Sequence, residues 1–154
     1  MNKPYIMLLL FGIFSSLQVS TSQAQEVDIS TEIIDYVNSV LDKKVDRGEC
    51  WDLLSKSLDA TNAEWFPTEQ FGRKVNYPKE KLQAGDMMHM LNVKYSWGGK
   101  TSRHYAIVYE VIDKTHLRIA DQNVGGVRKV KIRDFDLSEI IKGELTFYRP
   151  QKKK

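Results

Sequence analysis

Cys50 is the single cysteine of this chain, and it sits in the run Arg47-Gly48-Glu49-Cys50-Trp51-Asp52-Leu53-Leu54. A glycine loop precedes it, and Leu53, Leu54, Ser57 and Leu58 follow at a helical period, which places the sulfur in the first turn of a helix. That end of a helix favours an anion, by about 0.3 to 1 kcal/mol. From a free thiol value near 8.5, so small an effect leaves most of the sulfur protonated at neutral pH, and a thiolate requires a histidine as well. Taken alone, the segment fits equally a small buried apolar cysteine. The downstream residues decide.

They supply a histidine and two orienting groups. His104-Tyr105-Ala106-Ile107-Val108-Tyr109-Glu110-Val111 is a β-prone run, Asp113-Lys114 can turn, and Leu117-Arg118-Ile119-Ala120-Asp121-Gln122-Asn123 is a second strand ending at Gly125-Gly126. A turn centred on Asp113 and Lys114 sets Val108 opposite Ile119, Ala106 opposite Asp121 and His104 opposite Asn123. Side chains repeat on one face every second residue, so His104, Asp121 and Asn123 are expected together at the open end of the hairpin. A slip of one residue would send both acid and amide to the other face. Cysteine at a helix start, histidine on a strand and an acid or amide on the next strand are the parts of papain-like thiol chemistry. Cys50 is then the nucleophile, and His104 takes its proton and returns it to the leaving amine. Asp121 or Asn123 fixes the histidine tautomer, and the Cys50 N–H is one oxyanion donor.

The remaining elements must hold these groups. Ser30 can cap an amphipathic helix to about Lys44, with Ile33, Ile34, Val37, Val40 and Leu41 on one face, and the Cys50 helix runs to about Ala60. Residues 61–80 lose their period and collect Trp65, Phe66, Pro67, Phe71, Gly72, Tyr77 and Pro78, a loop expected to cover the sheet before it lines any groove. Leu82-Gln83-Ala84-Gly85-Asp86 reads as a turn and Met87 to Val93 as a strand, with His89 a structural residue inside it. Tyr95 to Ser102 reads as a glycine-containing loop, Val127 to Ile132 as a strand, Asp136 to Lys142 as a short helix and Leu145 to Pro150 as a last strand. His116, beside the turn, is expected to be exposed. The histidines have no cysteine or carboxylate at ligand spacing, so neither a metal nor another cofactor is expected.

The chain begins Met1-Asn2-Lys3, continues with an apolar run from Tyr5 to Leu17 and reaches the small-x-small triplet Ser22-Gln23-Ala24, the pattern of a signal peptide cut after Ala24. A secreted or periplasmic protein of the cell envelope is expected, with no stable membrane span after cleavage. The remaining residues, about 130, suffice for one domain over 25–150 followed by a basic tail over 151–154. The formal charge of +3 includes Lys3 and the three tail lysines Lys152, Lys153 and Lys154, so the folded body is near neutral. That argues against nucleic acid as a partner.

Four segments in order carry a resemblance: Gly48-Glu49-Cys50-Trp51, Leu82-Gln83-Ala84-Gly85-Asp86-Met87, His104-Tyr105-Ala106-Ile107-Val108, and Asp121-Gln122-Asn123 with Gly125-Gly126. Over residues 46–150 the chain resembles the CHAP family of cysteine amidases and peptidases. It resembles still more the cysteine-proteinase-fold domain of fungal myosin-tail-interacting proteins, around Gly48 to Leu53 and Phe71-Gly72-Arg73. The resemblance implies a papain-like α+β fold, with N-terminal helices packed on an antiparallel sheet of about five strands. It implies a hydrolase cleaving an amide or peptide bond, typically in peptidoglycan, with Cys50 as nucleophile, His104 as base, Asp121 orienting it and Asn123 in support. This chain departs from the family in carrying Asp121 where glutamate is usual, and Asp52-Leu53-Leu54 where aromatics and glycine follow the cysteine. The rival expectation is an interaction module that keeps the fold without turnover, as scaffold-like relatives suggest. Acyl transfer would use the same residues as hydrolysis.

Overall fold

The computed structural model describes residues 28–68 and 70–154. The expected signal peptide, residues 1–24, lies outside the described residues. Two helices, α1 (Ile29–Val40) and α2 (Cys50–Ala60), are followed by six strands: β1 (Arg73–Val75), β2 (Met87–Tyr95), β3 (Lys100–Val111), β4 (His116–Asp121), β5 (Lys131–Asp136) and β6 (Ile140–Arg149). The strands form one antiparallel sheet in the order β1-β6-β2-β3-β4-β5. The α+β class and the helices on a sheet are as expected, with six strands in place of five.

Both sheet faces are buried. Ile33 and Val37 from α1 and Leu53, Leu54 and Leu58 from α2 meet Phe71, Met87 and Ile107 on one face. Met88, Met90, Val93, Ala106, Val108, Ile119, Phe135 and Phe147 fill the other. This accounts for the burial of every position from Met87 to Met90, since a strand covered on both sides need not alternate. His89 lies within that run, stacked on Tyr105 of β3 at 4.7 Å between ring centres.

The C-terminal third departs from expectation. Asp136 to Lys142, expected as a helix, is the end of β5, a single 3₁₀ turn at Leu137–Glu139 and the start of β6. Its apolar residues are too few and too close to bury a helical stripe, and the Asp136 side chain accepts from the Ser138 N–H at 2.8 Å, a turn contact. The expected strand at 127–132 begins later, at Lys131, and α1 ends at Val40 rather than near Lys44. The aromatic loop does cover the fold: Trp65 and Phe71 pack edge-on against Trp51, and Tyr77 against Phe147. The basic tail is held against the fold. Lys152 pairs with Glu32 and donates to Thr61 O at 3.0 Å, and the Glu64 N–H donates to Gln151 O at 2.7 Å.

Candidate active site

The loop before α2 is fixed at several points, and each fixes the sulfur. Gly48 has φ +90, and a Cβ there would stand 2.8 Å from Arg128 Cβ, so the turn into the helix accepts glycine alone without strain. The buried Asp52 carboxylate accepts from the Glu49 N–H at 3.0 Å and from Arg47 Nη2 at 2.6 Å, closing the first turn. Gln122, itself only 1% exposed, accepts from Val45 N–H at 3.2 Å and donates to Val45 O at 3.1 Å and to Glu49 O at 2.6 Å. One side chain thus ties the end of β4 to the peptide that carries Cys50.

Cys50 is the first residue of α2 and is partly buried. The ladder between β3 and β4 stops at Ile107 and Ala120, and beyond that point the Tyr105 N–H donates to the Cys50 sulfur, as does the Trp51 N–H. His104 hydrogen-bonds the same sulfur. Its Nε2 lies 2.8 Å from Asp121 Oδ2. Asp121 is 1% exposed and is clasped in turn by Arg133, with Nε 3.1 Å from Oδ1 and Nη2 2.5 Å from Oδ2. The result is a row of alternating charge: sulfur, imidazole, carboxylate, guanidinium.

Two opposed effects set the acidities. Burial pushes the Cys50 thiol up, while the hydrogen bond and charge of His104 and the two N–H donors outweigh it and bring the thiol below its ordinary value. Burial likewise pushes His104 down, and its bonds to Asp121 and Cys50 carry it up instead, to about 9. Both shifts favour the proton on imidazole and the charge on sulfur, which is the form that attacks a carbonyl.

Val108 pairs with Ile119 as expected and the acid meets His104, but the turn is not centred on Asp113 and Lys114: Glu110 pairs with Arg118 and Val111 with Leu117, and a bulge at Tyr109 makes up the one-residue difference. Asn123 lies elsewhere than expected. β4 ends at Asp121 and Asn123 has φ 64, so strand alternation no longer applies, and its amide donates to Glu49 Oε2 at 2.6 Å instead of reaching the imidazole. Arg128 reaches the other Glu49 oxygen at 3.2 Å, so residues 123–128 are latched to the loop beside Cys50. Arg133 and Gln122 did not emerge from the sequence. Gln122 was adjacent to the expected acid, and only its burial distinguishes it. His116 is exposed and set between Asp113 and Asp136, at 3.0 and 3.2 Å. Among the described residues no group of three or more His, Cys, Asp or Glu side chains is placed to hold a metal ion, and no helix is long and apolar enough to cross a membrane.

A cleft of about 490 Å³ opens where β4 leaves β3, with His104, Asn123 and Arg133 at one end and the Tyr95–Trp97 turn at the other. His104 lines this cleft and Cys50 does not.

The titrations also bear on stability. A histidine whose folded value lies above its unfolded 6.5 adds stability that is complete below about 6.5 and is lost as pH rises through about 9. The thiol, lowered on folding, acts in the opposite sense. In a Cys50→Ala background, which silences the thiol and removes its share of the upward shift, urea-unfolding free energy is still expected to fall as pH rises above about 6.5, because Asp121 continues to hold His104 up. In Cys50→Ala with His104→Ala the His104 share of that decline should be lost, leaving what the exposed His116, also raised by Asp113 and Asp136, contributes.

Residues 16–154 match the family model described as the AIM3/BBC1 cysteine proteinase-fold domain. No curated protein sequence matches the chain. The crystal structure of Ly7917 with the hydrolyzing product of MDP shares its fold, at 20% identity and TM-score 0.50, and the crystal structure of Ly7917 matches at 19% identity and TM-score 0.49. Each alignment covers 79% of this chain and 62% of the Ly7917 chain, so this chain spans under two thirds of that protein.

Proposed function

Because this chain belongs to the family of the AIM3/BBC1 cysteine proteinase-fold domain, we propose that it is an exported cysteine hydrolase that cleaves an amide bond in cell-wall peptide. The observation that carries this reading is His104, hydrogen-bonded to the Cys50 sulfur on one side and to Asp121 at 2.8 Å on the other. Cys50 attacks the carbonyl carbon and the carbonyl oxygen becomes an oxyanion facing the Cys50 N–H at the helix start. His104 gives its proton to the leaving amine, then draws one from the water that resolves the thioester. Asp121, held by Arg133, keeps the imidazole oriented and compensates its charge. Asn123 acts at one remove, by holding the Glu49 carboxylate against the loop that bears the nucleophile.

A hydrolytic role for this fold finds support in Ly7917, whose structure holds the hydrolyzing product of MDP. Export rests on the residues 1–24, and it places the thiol in an oxidising compartment without a disulfide partner, since Cys50 is the chain's single cysteine. The test is the pH dependence of Cys50 alkylation by iodoacetamide, in the protein cleaved after Ala24 and in its His104→Ala variant. Rapid alkylation with an apparent thiol value well below the free one, returning to it in the variant, is the expected result. Slow alkylation with an ordinary value in both proteins would overturn the hydrolase and leave the fold as an interaction module.

A further inference from the structure

The Glu49 carbonyl and the Cys50 N–H belong to one peptide unit, so whatever holds the first aims the second. Glu49 O accepts from Gln122 Nε2 at 2.6 Å and from the Asp52 N–H at 3.0 Å. In a planar trans peptide the N–H opposes the C=O, and an oxygen turned to the buried Gln122 sends the Cys50 N–H the other way. The neighbouring donors of the first turn are committed. The Trp51 N–H goes to the Cys50 sulfur and the Asp52 N–H to Glu49 O, which leaves the Cys50 N–H to meet an oxygen on a substrate.

Gln122 holds this peptide in a single arrangement. Its Oε1 accepts from the Val45 N–H at 3.2 Å and its Nε2 donates to Val45 O at 3.1 Å, so a flipped carboxamide would set its oxygen against two carbonyl oxygens. Val45 is a core residue, which anchors the far end of the clamp. The Glu49 side chain offers no such hold, since its carboxylate is turned to Asn123 and Arg128. Two donors on one carbonyl also polarise the peptide and strengthen its N–H as a donor. We propose that Gln122 is a positioning residue for the oxyanion, which through Glu49 O aims and polarises the Cys50 N–H. The thiolate is served by other groups, His104 and the N–H groups of Tyr105 and Trp51, whereas the bonds of Gln122 go to Val45 and Glu49. This deepens the proposed function and rests on Cys50 being its nucleophile.

Two reagents that meet the same sulfur separate these roles. p-Nitrophenyl acetate acylates it through a tetrahedral adduct: the S–C bond forms, the carbonyl π pair moves to oxygen, and its return expels p-nitrophenolate and leaves an acetyl thioester. Iodoacetamide forms its S–C bond by displacing iodide, with no oxyanion. In Gln122→Met, similar in volume but without the amide, acylation is expected to fall at least about tenfold while alkylation stays within about twofold of the parent at every pH, since losing an oxyanion donor outright costs about 10² to 10³. Cys50→Ala supplies the background from lysines. Gln122→Asn, a carboxamide one methylene short of Glu49 O, decides should Gln122→Met fail to fold. Equal losses with both reagents would make Gln122 a support of the fold alone, and a parental ratio of the two rates in both variants would remove it from the oxyanion site; either result overturns the proposal. The hydrolase fails by a different reading. An ordinary thiol value in the parent's alkylation profile removes the hydrolase and this role with it, whereas a lowered value with an unchanged ratio removes Gln122 alone.

Discussion

Cleavage of cell-wall peptide fragments by this chain is expected to fall about a thousandfold in a His104→Ala variant and to background in Cys50→Ala, with the circular-dichroism spectrum unchanged in both. The size follows from what the imidazole supplies. General acid–base transfer contributes about 10² to 10⁴ in rate. In addition, burial alone would drive the Cys50 thiol up, and His104 is the leading opposing influence. The helix start offers about 0.3 to 1 kcal/mol, under one pH unit, so without His104 little thiolate remains at neutral pH. Combining His104→Ala with Cys50→Ala should cost no more than Cys50→Ala alone, because the two act as one unit. Asp121→Asn keeps the hydrogen-bond geometry and removes the charge, so the rate should fall while the alkylation profile moves toward the free thiol. A His104→Ala protein that retains most of its activity would dissociate the thiol from the chemistry.

The cluster of Cys50, His104 and Asp121 was legible in local pattern. A glycine turn before helical spacing marks Cys50, and the turn assumed at Asp113 and Lys114 gives the pairing of Val108 with Ile119 only because a bulge at Tyr109 offsets the one-residue difference at the turn. The inference for Asn123 failed two residues past the end of β4, where φ turns positive and alternation ceases. Arg133 was illegible for another reason. It reads as one of several basic residues interleaved with apolar ones, and nothing in the sequence states that β5 would lie beside β4 and bring its guanidinium to Asp121. The same limit applies to β1: three residues, Arg73–Val75, form a strand only because the edge of β6 is there to pair with them. Short elements of this kind are specified by their neighbours more than by their own sequence.

Gly85-Asp86 belonged to the resemblance as a recurring segment, and its environment assigns it to the fold rather than to the chemistry. Asp86 is fully buried, and it accepts from Arg149 Nε and Nη2, each at 2.9 Å, and from the Gln83 N–H at 2.9 Å. Arg149 also reaches Glu80, which in turn holds Arg73. The last strand, the first strand and the turn into β2 are therefore joined through one carboxylate. Asp86→Ala removes the buried carboxylate while Arg149, partly exposed, keeps Glu80 and Lys81 O, so the cost is that of the lost charge-assisted bonds and the vacated space, about 2 to 4 kcal/mol. With a urea slope of about 1 to 3 kcal/mol per molar, the unfolding midpoint should fall by roughly 2 M. Glu80→Ala, whose carboxylate is partly open to water, should shift the midpoint far less, since solvent takes its place beside Arg73 and Arg149. At urea concentrations where the Asp86→Ala protein is still folded, Cys50 alkylation should match the parent, because none of Asp86's partners belongs to the Cys50 site. A loss of thiol reactivity without a loss of stability would return Asp86 to the catalytic machinery.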